Sequence, residues 1–369
     1  MKMMSILLIG GAFLAGCNSR PAEEDRYGPA AQWAADALLE HYWNEGATGM
    51  NNAYPYDGER EGHLNYWWKA HAVDAMVDAY ERTGDEAYAE KAALIVKSII
   101  KRNGSLYNEF YDDMEWLALS ALRLYDATDD DTMKGYVMKL WGDIKTAWWE
   151  DELGGMAWKK DQRYSRNACS NGPAAILAAR LYDRFGDEAD LAWAKKIYDW
   201  EKTHLVDPTS GLVFDGLVLE DDGRLNVNRD WIFTYNNGTF IGAAVELYKI
   251  TGDEAYLADA EKTAAAALRH HSDVATGVMK SEGTGDGGLF KGILIRYLAN
   301  LYEAGGSESI RDAIFHNADA LLAKGSEQEV GLFGAAWDRP PEEPVDLTVQ
   351  LSGVFLLEVA AKLERSEAR

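Results

Sequence analysis

A short phrase recurs along this chain and constrains its fold more than any other feature. Complete copies read Tyr, three residues, then Gly-Asp-Glu-Ala, with the glycine at Gly84, Gly186 and Gly252. A glycine there suits the left-handed residue that ends a helix, and Asp-Glu places negative charge in the first turn of the next helix. Degenerate copies lie at Tyr125, at Tyr302 and, more faintly, around Leu363. The chain is therefore predicted to contain six helix pairs.

Two kinds of helical segment alternate between these turns. Segments that follow a turn are polar on one side and predict an outer ring, whereas the mostly apolar segments that precede a turn predict an inner ring. The predicted outer helices span 30–43, 85–102, 131–149, 187–203, 253–271 and 307–324. The predicted inner helices span 65–81, 112–126, 169–184, 237–250, 289–303 and 347–363. This pattern describes an all-α (α/α)6 toroid; a plain helical solenoid is the alternative, because repeat length alone does not prove ring closure.

The first residues predict export. An apolar run from Ile6 to Leu14 is too short to span a bilayer and is typical of a secretory signal. Its end, Leu14-Ala15-Gly16-Cys17, resembles the lipobox of bacterial lipoproteins, which implies cleavage before Cys17 and lipidation of its thiol. We expect a signal peptide over 1–16, a tether over 17–29 and a catalytic domain over 30–369. The alternative is an ordinary cleaved signal with a chance cysteine.

The residue after the lipobox bears on location. Asn18 stands where aspartate is associated with inner-membrane retention, so we expect an outer-membrane lipoprotein, at the cell surface or on the periplasmic face. With Cys17 lipidated, Cys169 has no partner within the chain, and stability has to come from core burial. The membrane contact is expected through the lipid anchor only, and the protein is expected to be a monomer.

The charge balance limits the partners. A net charge of −24 argues against nucleic acid, whose phosphates would be repelled, but it permits a neutral polysaccharide. Thirteen Trp and nineteen Tyr are many for this length, and such rings serve both stacking and partly polar cores. The histidines show no zinc-ligand spacing, so the sequence calls for no metal.

Two adjacent carboxylates, Asp112 and Asp113, stand among aromatic residues where an apolar helical run begins. Glycosidic bond cleavage needs two carboxyls, one to protonate the leaving oxygen and one to attack or to activate water. The structural alternative is a capping box in which Asp112 is the N-cap and Glu115 reaches back to the free amides.

Counting back from the repeat tyrosines favours catalysis. Polar and aromatic residues gather 11 to 13 residues before each tyrosine, at Trp67, Asp112, Asp113, Asn171, Asn236, Asn237 and Lys291. This spacing corresponds to about 17 Å of helix, so these residues are expected around the mouth of the ring. A concave, aromatic-rich mouth is where a binding site is expected.

Four motifs in order now show a family resemblance. They are Tyr111-Asp112-Asp113-Met114-Glu115-Trp116; Gly154-Gly155-Met156-Ala157-Trp158 with Asn167 to Ala174; Thr234-Tyr235-Asn236-Asn237-Gly238; and Phe290-Lys291-Gly292-Ile293 with Arg296-Tyr297-Leu298. Together they resemble glycoside hydrolase family 76 over residues 30 to 365. The resemblance implies an (α/α)6 fold and endo-acting, retaining hydrolysis of α-1,6-linked mannan, with Asp112 as nucleophile and Asp113 as general acid/base. The family also includes members thought to act as transglycosylases, so the acceptor is left open.

The remaining expectations concern mechanism and binding. Adjacent carboxyls suit the short separation of a retaining enzyme, and the helix N-terminus favours an ionised Asp112, whose charge keeps Asp113 protonated. No metal or cofactor is required. The expected substrate-binding residues are Trp67, Tyr111, Trp158, Asn171, Tyr235, Asn236, Asn237 and Lys291. Their structural alternatives are core packing for the tryptophans, a helix cap for Asn171 and an ion pair with Asp286 or Glu282 for Lys291.

Two other functions are compatible with parts of the sequence. Another (α/α)6 carbohydrate-active enzyme, such as an unsaturated glucuronyl hydrolase, would need a basic cleft for its acidic substrate, and few basic residues fall near the predicted mouth beyond Lys291, Arg163 and Arg166. A non-catalytic surface glycan-binding lipoprotein would not need Asp112 and Asp113 as a pair.

Overall fold

Twelve α-helices build the molecule in the computed structural model, which describes residues 25–150, 153–220 and 222–367. In chain order they are α1 (Tyr27–Tyr42), α2 (Tyr66–Thr83), α3 (Glu86–Asn103), α4 (Tyr111–Thr128), α5 (Asp131–Ile144), α6 (Ala168–Phe185), α7 (Glu188–His204), α8 (Thr234–Thr251), α9 (Glu254–His271), α10 (Gly287–Glu303), α11 (Glu308–Ala320) and α12 (Leu347–Glu367). All twelve predicted helices are confirmed, mostly with ends within three residues. The predicted fifth and eleventh helices were too long, because short 3₁₀ (145–147) and π (321–325) turns follow them.

The even-numbered helices form a closed inner ring. Each packs on the next, from α2 through α4, α6, α8 and α10 to α12, and α12 packs back on α2. The odd-numbered helices lie outside and bury one face; in α3 this face includes Tyr88, Ala92, Ile95 and Ile99, at helical spacing. This closure confirms the (α/α)6 toroid and excludes the open solenoid.

The repeated phrase forms the turns between inner and outer helices. Gly84, Gly186 and Gly252 follow α2, α6 and α8 with φ of 72°, 72° and 68°, the left-handed conformation that glycine adopts without strain. The aspartate after each glycine caps the next helix: its side chain accepts the N–H of Ala87, Ala189 or Ala255 at 3.0 Å. Asp129 takes the left-handed place after α4.

The repeat tyrosine has a role that the sequence reading did not assign. The hydroxyls of Tyr80, Tyr182, Tyr248 and Tyr302 donate to Glu86, Glu188, Glu254 and Glu308 at 3.3 or 3.4 Å. A glutamate in the first turn of the next helix therefore ties four of the inner helices, α2, α6, α8 and α10, to the outer helix that follows.

Glycines bring neighbouring inner helices close together. Gly172, Gly238 and Gly292 each lie ten residues before a repeat tyrosine. A Cβ on Gly238 would lie 2.9 Å from the Cα of Leu294 in α10, and one on Gly292 would lie 2.8 Å from the Cα of Ser352 in α12. These are distances that real Cβ contacts essentially never show, so glycine sets the approach of these helices.

Short strands lie in the long connections at the other end of the ring. They are β1 (Trp43–Asn44), β2 (Gly49–Met50), β3 (Ala53–Tyr54), β4 (Ser165–Asn167), β5 (Gly216–Leu219), β6 (Leu225–Val227), β7 (Ser326–Glu327), β8 (Leu332–Phe333) and β9 (Val345–Asp346). β4, β5 and β6 form an antiparallel sheet, and β3 pairs with β9, which joins the first long connection to the last.

The turn end of the ring is occupied by an ionic cluster. The guanidinium of Arg123 on α4 lies 2.7 Å from both Asp74 and Asp78 of α2, and Arg296 on α10 contacts the same two carboxylates. These charges line a cavity of about 440 Å³. The side chain of Trp116 lines both this cavity and the one at the mouth, so it lies between them.

The predicted signal peptide over 1–16, the lipidated Cys17 and most of the tether lie outside the described residues. Among the helices that are described, none is both long and apolar enough to cross a membrane.

Candidate active site

Asp112 and Asp113 occupy the first turn of α4, half-buried at the mouth end of the ring. The start of this helix is fixed to the connection before α6, because the N–H of Tyr111 donates to the carbonyl of Trp158 at 3.0 Å. The Asp113 carboxylate accepts a hydrogen bond of 2.9 Å from the Asn108 side chain. The pair is thus held in place from both sides of the helix start.

The capping box, which was the structural alternative to catalysis for Asp112 and Glu115, does not form. The residue before α4 is Phe110, whose side chain has no capping group, and Asp112 lies inside the first turn. Glu115 does not reach back: it is fully buried, and neither of its carboxyl oxygens has a hydrogen-bond partner within the described part of the chain. Burial raises the pKa of Glu115 well above its ordinary value, with the charges of Asp112 and Glu201 acting in the same direction.

The two aspartates differ in acidity. Burial raises the pKa of Asp112 to about 7, although hydrogen bonding to the Cys169 thiol, to backbone amides and to the Trp158 indole favours the ionised form. Burial raises the pKa of Asp113 further, to well above its ordinary value, and the charges of Asp112, Asp286 and Glu109 add to the effect. When one proton is shared by this coupled pair, it therefore resides on Asp113.

A cleft of about 820 Å³ opens beside Asp112. Six of the residues that line it are aromatic and lie at the starts of the inner helices or in the connections before them: Trp67, Trp116, Trp158, Phe233, Tyr235 and Phe290. The β4–β5–β6 sheet and the segment that follows it also line the cleft and form a wall that includes Asn226 and Asn228. Rings with nearby amides and carboxyls suit a ligand that has both apolar faces and hydroxyls.

Four predicted site residues line this cleft: Asp112, Trp67, Trp158 and Tyr235. Trp67 donates its indole N–H to Asp286 at 3.1 Å, and the neighbouring Trp68 donates to the same oxygen at 2.7 Å. Tyr235 stacks on Phe290 with ring centroids 4.0 Å apart and planes inclined by 16°. The rings are thus fixed in position before a ligand arrives.

Two predicted asparagines hold loops instead of facing the cleft. Asn171 is fully buried, accepts the N–H of Met156 at 3.0 Å and donates to the carbonyl of Asn167 at 2.8 Å. Asn237 is likewise buried, accepts the N–H of Val213 at 3.1 Å and donates to the carbonyl of Phe233. Their predicted contact with sugar hydroxyls is corrected to a structural role, because their amides satisfy the backbone of the connections above the ring.

Two further predicted binding residues are also buried in the wall. Lys291 donates to the carbonyl of Ala335 at 2.6 Å and its ammonium lies 4.1 Å from the Trp337 ring centroid. The hydroxyl of Tyr111, a residue only 1% exposed, hydrogen-bonds that of Thr146 at 3.1 Å. The expectation that they bind hydroxyls is corrected for the same reason: burial and internal partners take up their polar atoms.

Asn236 acts through a residue that the sequence reading missed. Its amide donates to Asp215 at 3.0 Å, and the Asn167 amide donates to the other oxygen of that carboxylate at 3.2 Å. Asp215 lines the cleft at the start of β5, and burial raises its pKa against these hydrogen bonds. Asp215 lies in a connection without helical periodicity, so the repeats gave no signal for it. Asp286 and Cys169, which also line the cleft, were missed as site residues too.

The described residues contain no group of three or more His, Cys, Asp or Glu side chains arranged to hold a metal. A helical toroid with two adjacent carboxyls at one helix start, of which Asp112 lines an aromatic cleft, has the arrangement of a glycoside hydrolase.

Comparisons with known proteins agree with this class. The model of glycosyl hydrolase family 76 matches residues 27–362, and the chain belongs to that family.

Solved structures of relatives superpose closely. An α-1,6-mannanase from a Salegentibacter species is 43% identical, with a TM-score of 0.87 over 92% of this chain and 100% of its own. A Listeria innocua protein is 37% identical with the same TM-score, over 92% of this chain and 98% of its own. The mannan endo-1,6-α-mannosidase DCW1 of Candida glabrata is 27% identical over 51% of this chain and 46% of its own length. The match thus spans about half the length of this yeast relative.

Proposed function

We propose that this chain is a retaining, endo-acting glycoside hydrolase that cleaves α-1,6-mannosidic linkages in mannan, with Asp112 as nucleophile and Asp113 as general acid/base. The observation that carries the proposal is the pair of adjacent carboxyls in the first turn of α4, where Asp112 lines an aromatic cleft. The relatives support the substrate. The Salegentibacter α-1,6-mannanase has been solved bound to α-1,6-mannotriose, as a variant described as inactive in which two consecutive aspartates are replaced by asparagine.

The proposed first step uses the lower pKa of Asp112. Its ionised carboxylate attacks the anomeric carbon, the bond from that carbon to the O6 of the next mannose breaks, and the Asp113 proton moves to the departing oxygen. Asp113 is then a carboxylate, held by Asn108. In the second step it takes a proton from water as that water displaces Asp112 from the anomeric carbon, which restores both groups and retains the configuration.

The start of α4 supports this division of roles. The positive end of the helix dipole lies at the first turn and favours the ionised form of Asp112. Polar contacts with the Cys169 thiol and the Trp158 indole act in the same sense. Asp113 faces the charges of Asp112, Asp286 and Glu109, which favour its protonated form. These surroundings support Asp112 as the nucleophile and Asp113 as the acid.

The primary test is hydrolysis of linear α-1,6-mannan by the soluble domain. We expect short oligosaccharides of mixed length from the first minutes, and NMR of the initial products should show retained α-configuration. Asp112→Asn and Asp113→Asn should each lower kcat by at least about 10²–10⁴-fold. Asp222→Asn, which changes an exposed aspartate paired with Arg224, is the matched control and should keep full activity. Intact polymer after prolonged incubation, or β-configured products, would contradict the proposal.

Azide rescue separates the two roles. With an activated aryl α-mannoside, Asp112→Ala plus azide should yield a β-mannosyl azide, because azide takes the face that the nucleophile leaves empty. Asp113→Ala should form the glycosyl-enzyme, which azide then opens to an α-mannosyl azide. The reverse pattern of products would exchange the roles of the two aspartates.

The location of the enzyme is a separate part of the proposal. The Leu14-Ala15-Gly16-Cys17 sequence supports a lipoprotein of the outer membrane, and Asn18 is compatible with export to that membrane. Radiolabelled palmitate should be incorporated into the full chain and not into Cys17→Ala, and the substituted protein should no longer fractionate with membranes. Palmitate labelling that persists in Cys17→Ala would contradict lipidation at Cys17 but would not bear on the proposed hydrolase activity.

A further inference from the structure

Two large aromatic side chains line the cleft and remain exposed. Trp231, which follows β6, is 55% exposed, and Tyr164, which precedes β4, is 51% exposed. Both belong to the wall that the β4–β5–β6 sheet and its flanking segments form, and neither ring is part of the core. Aromatic rings that are left uncovered in a concave site present free faces to whatever binds there.

A series of rings connects Trp231 with the catalytic end of the cleft. The centroids of Trp231 and Phe233 are 6.1 Å apart, and those of Phe233 and Tyr235 are 6.2 Å apart. Tyr235 stacks on Phe290, which in turn lies 6.3 Å from Trp67. Trp231 therefore forms the outer end of a continuous aromatic surface, and Tyr235, two rings inward, is close enough to feel the charge of Asp112.

The backbone holds both exposed residues independently of their rings. The carbonyl of Trp231 accepts the N–H of Asp215 at 2.8 Å, and the carbonyl of Tyr164 accepts the N–H of Leu219 at 2.9 Å. Both bonds attach the residue to β5 or to the segment that leads into it. Removing either side chain leaves these bonds in place, so the rings are not required to build the wall.

We propose that Trp231 and Tyr164 are stacking platforms of outer subsites, which bind mannose units of the polymer away from the linkage that is cleaved. The flat, apolar ring faces match the apolar face of a pyranose, and the side-chain N–H groups of Asn228 in the same wall can donate to its hydroxyls. This inference rests on the proposed function, because it assigns further parts of the same polysaccharide to the same cleft. It predicts that affinity grows with chain length until these platforms are occupied.

The test compares long and short substrates. Trp231→Ala and Tyr164→Ala should each raise KM for linear α-1,6-mannan about tenfold, the usual scale for losing an aromatic contact at an interface. The kcat on mannan and the kcat/KM on a short oligosaccharide, α-1,6-mannotriose or α-1,6-mannotetraose, should stay within twofold of the unsubstituted enzyme. Trp231→Phe keeps a smaller ring face and should recover part of the affinity.

Tyr56→Ala is the matched control, since Tyr56 is 63% exposed and lies outside the residues that line the cleft. It should leave all the constants unchanged. Equal losses on long and short substrates, or a Trp231→Ala enzyme identical to Tyr56→Ala, would overturn the subsite proposal while the unsubstituted enzyme still cleaves mannan. An unsubstituted enzyme that leaves mannan intact would overturn the proposed function itself, and the subsite inference with it.

Discussion

The thiol of Cys169 should tune the acidity of the proposed nucleophile. Cys169 is the second residue of α6, is only 4% exposed and lines the cleft beside Asp112. After burial, the nearby thiol is the largest influence on the pKa of Asp112, and as a hydrogen-bond donor it acts to lower that pKa. Replacing Cys169 by Ala removes the donor and keeps the site otherwise intact, so the pKa of Asp112 should rise.

The size of the effect follows from the strength of one hydrogen bond. A bond to a charged group contributes about 1.5–3 kcal/mol, but S–H is a weak donor, so about 1 kcal/mol is a fair value here. One pKa unit corresponds to 1.36 kcal/mol, so the shift is about 0.7 unit upward from a pKa of about 7. Asp112 must be ionised to attack. The acid limb of kcat/KM should therefore move to higher pH, with about a fivefold loss near pH 6 that closes as the pH rises.

The measurement is kcat/KM on α-1,6-mannan across the pH range, for the unsubstituted enzyme and for Cys169→Ala and Cys169→Ser. Serine is a stronger donor of nearly the same size, so Cys169→Ser should move the acid limb the other way, to lower pH. Far-UV circular dichroism and thermal unfolding check that both variants fold. An acid limb that stays in place in both variants, or moves the same way in both, would refute the assigned role of this thiol.

Three further predictions test the fold and the site. Gly238→Ala should lower the free energy of unfolding by about 1–3 kcal/mol, because the new Cβ meets the next inner helix. Gly142 lies on an outer helix with open space around it, so Gly142→Ala should raise the free energy of unfolding by up to about 1 kcal/mol. Chemical denaturation measures both changes. Arg123→Ala removes one of the two guanidiniums that contact Asp74 and Asp78, while Arg296 stays in place, and should cost about 1.5–3 kcal/mol. The exposed Arg224→Ala should cost less than about 1 kcal/mol. Asp113→Asn should raise Tm by roughly 2–5 °C at neutral pH and by less near pH 4. The pKa of Asp113 is higher in the folded than in the unfolded state, so the free energy of unfolding falls as the pH rises above the unfolded-state pKa, and asparagine removes that loss. A gain in Tm that is larger near pH 4 than at neutral pH would contradict this reasoning.

The fold was predictable because its signal is local and repeated. The residues after Tyr80, Tyr182 and Tyr248 end one helix and cap the next by contacts within the phrase itself, and six such turns determine the number of helices. Ring closure was not in that signal, since it depends on the packing of α12 against α2 across almost the entire chain. From the sequence, ring closure was implied by the resemblance to family 76.

The site was predictable only in part, for a physical reason. The position of a residue along an inner helix can be counted from the sequence, and this count correctly placed Asp112 and Trp67 at the cleft. It could not give the direction of each side chain. Asn171 and Asn237 lie at the right height but turn into the wall, where their amides satisfy loop backbone. The β4–β5–β6 sheet that lines the cleft lies in irregular connections between helices, and their sequences have no periodic pattern from which this sheet could be predicted.

Ring closure has a consequence for folding during synthesis. Helix α4, which carries Asp112 and Asp113, is made in the first third of the chain, but its neighbour α2 gains its second inner partner only with α12, the last helix. The β3–β9 pairing likewise waits for residues 345 and 346. An unfinished chain can pair its helices locally, since those contacts are short in sequence, while its catalytic mouth still lacks one side. Catalytic competence in this architecture therefore belongs to the completed chain, and a C-terminal truncation should abolish it even though no proposed catalytic residue is lost.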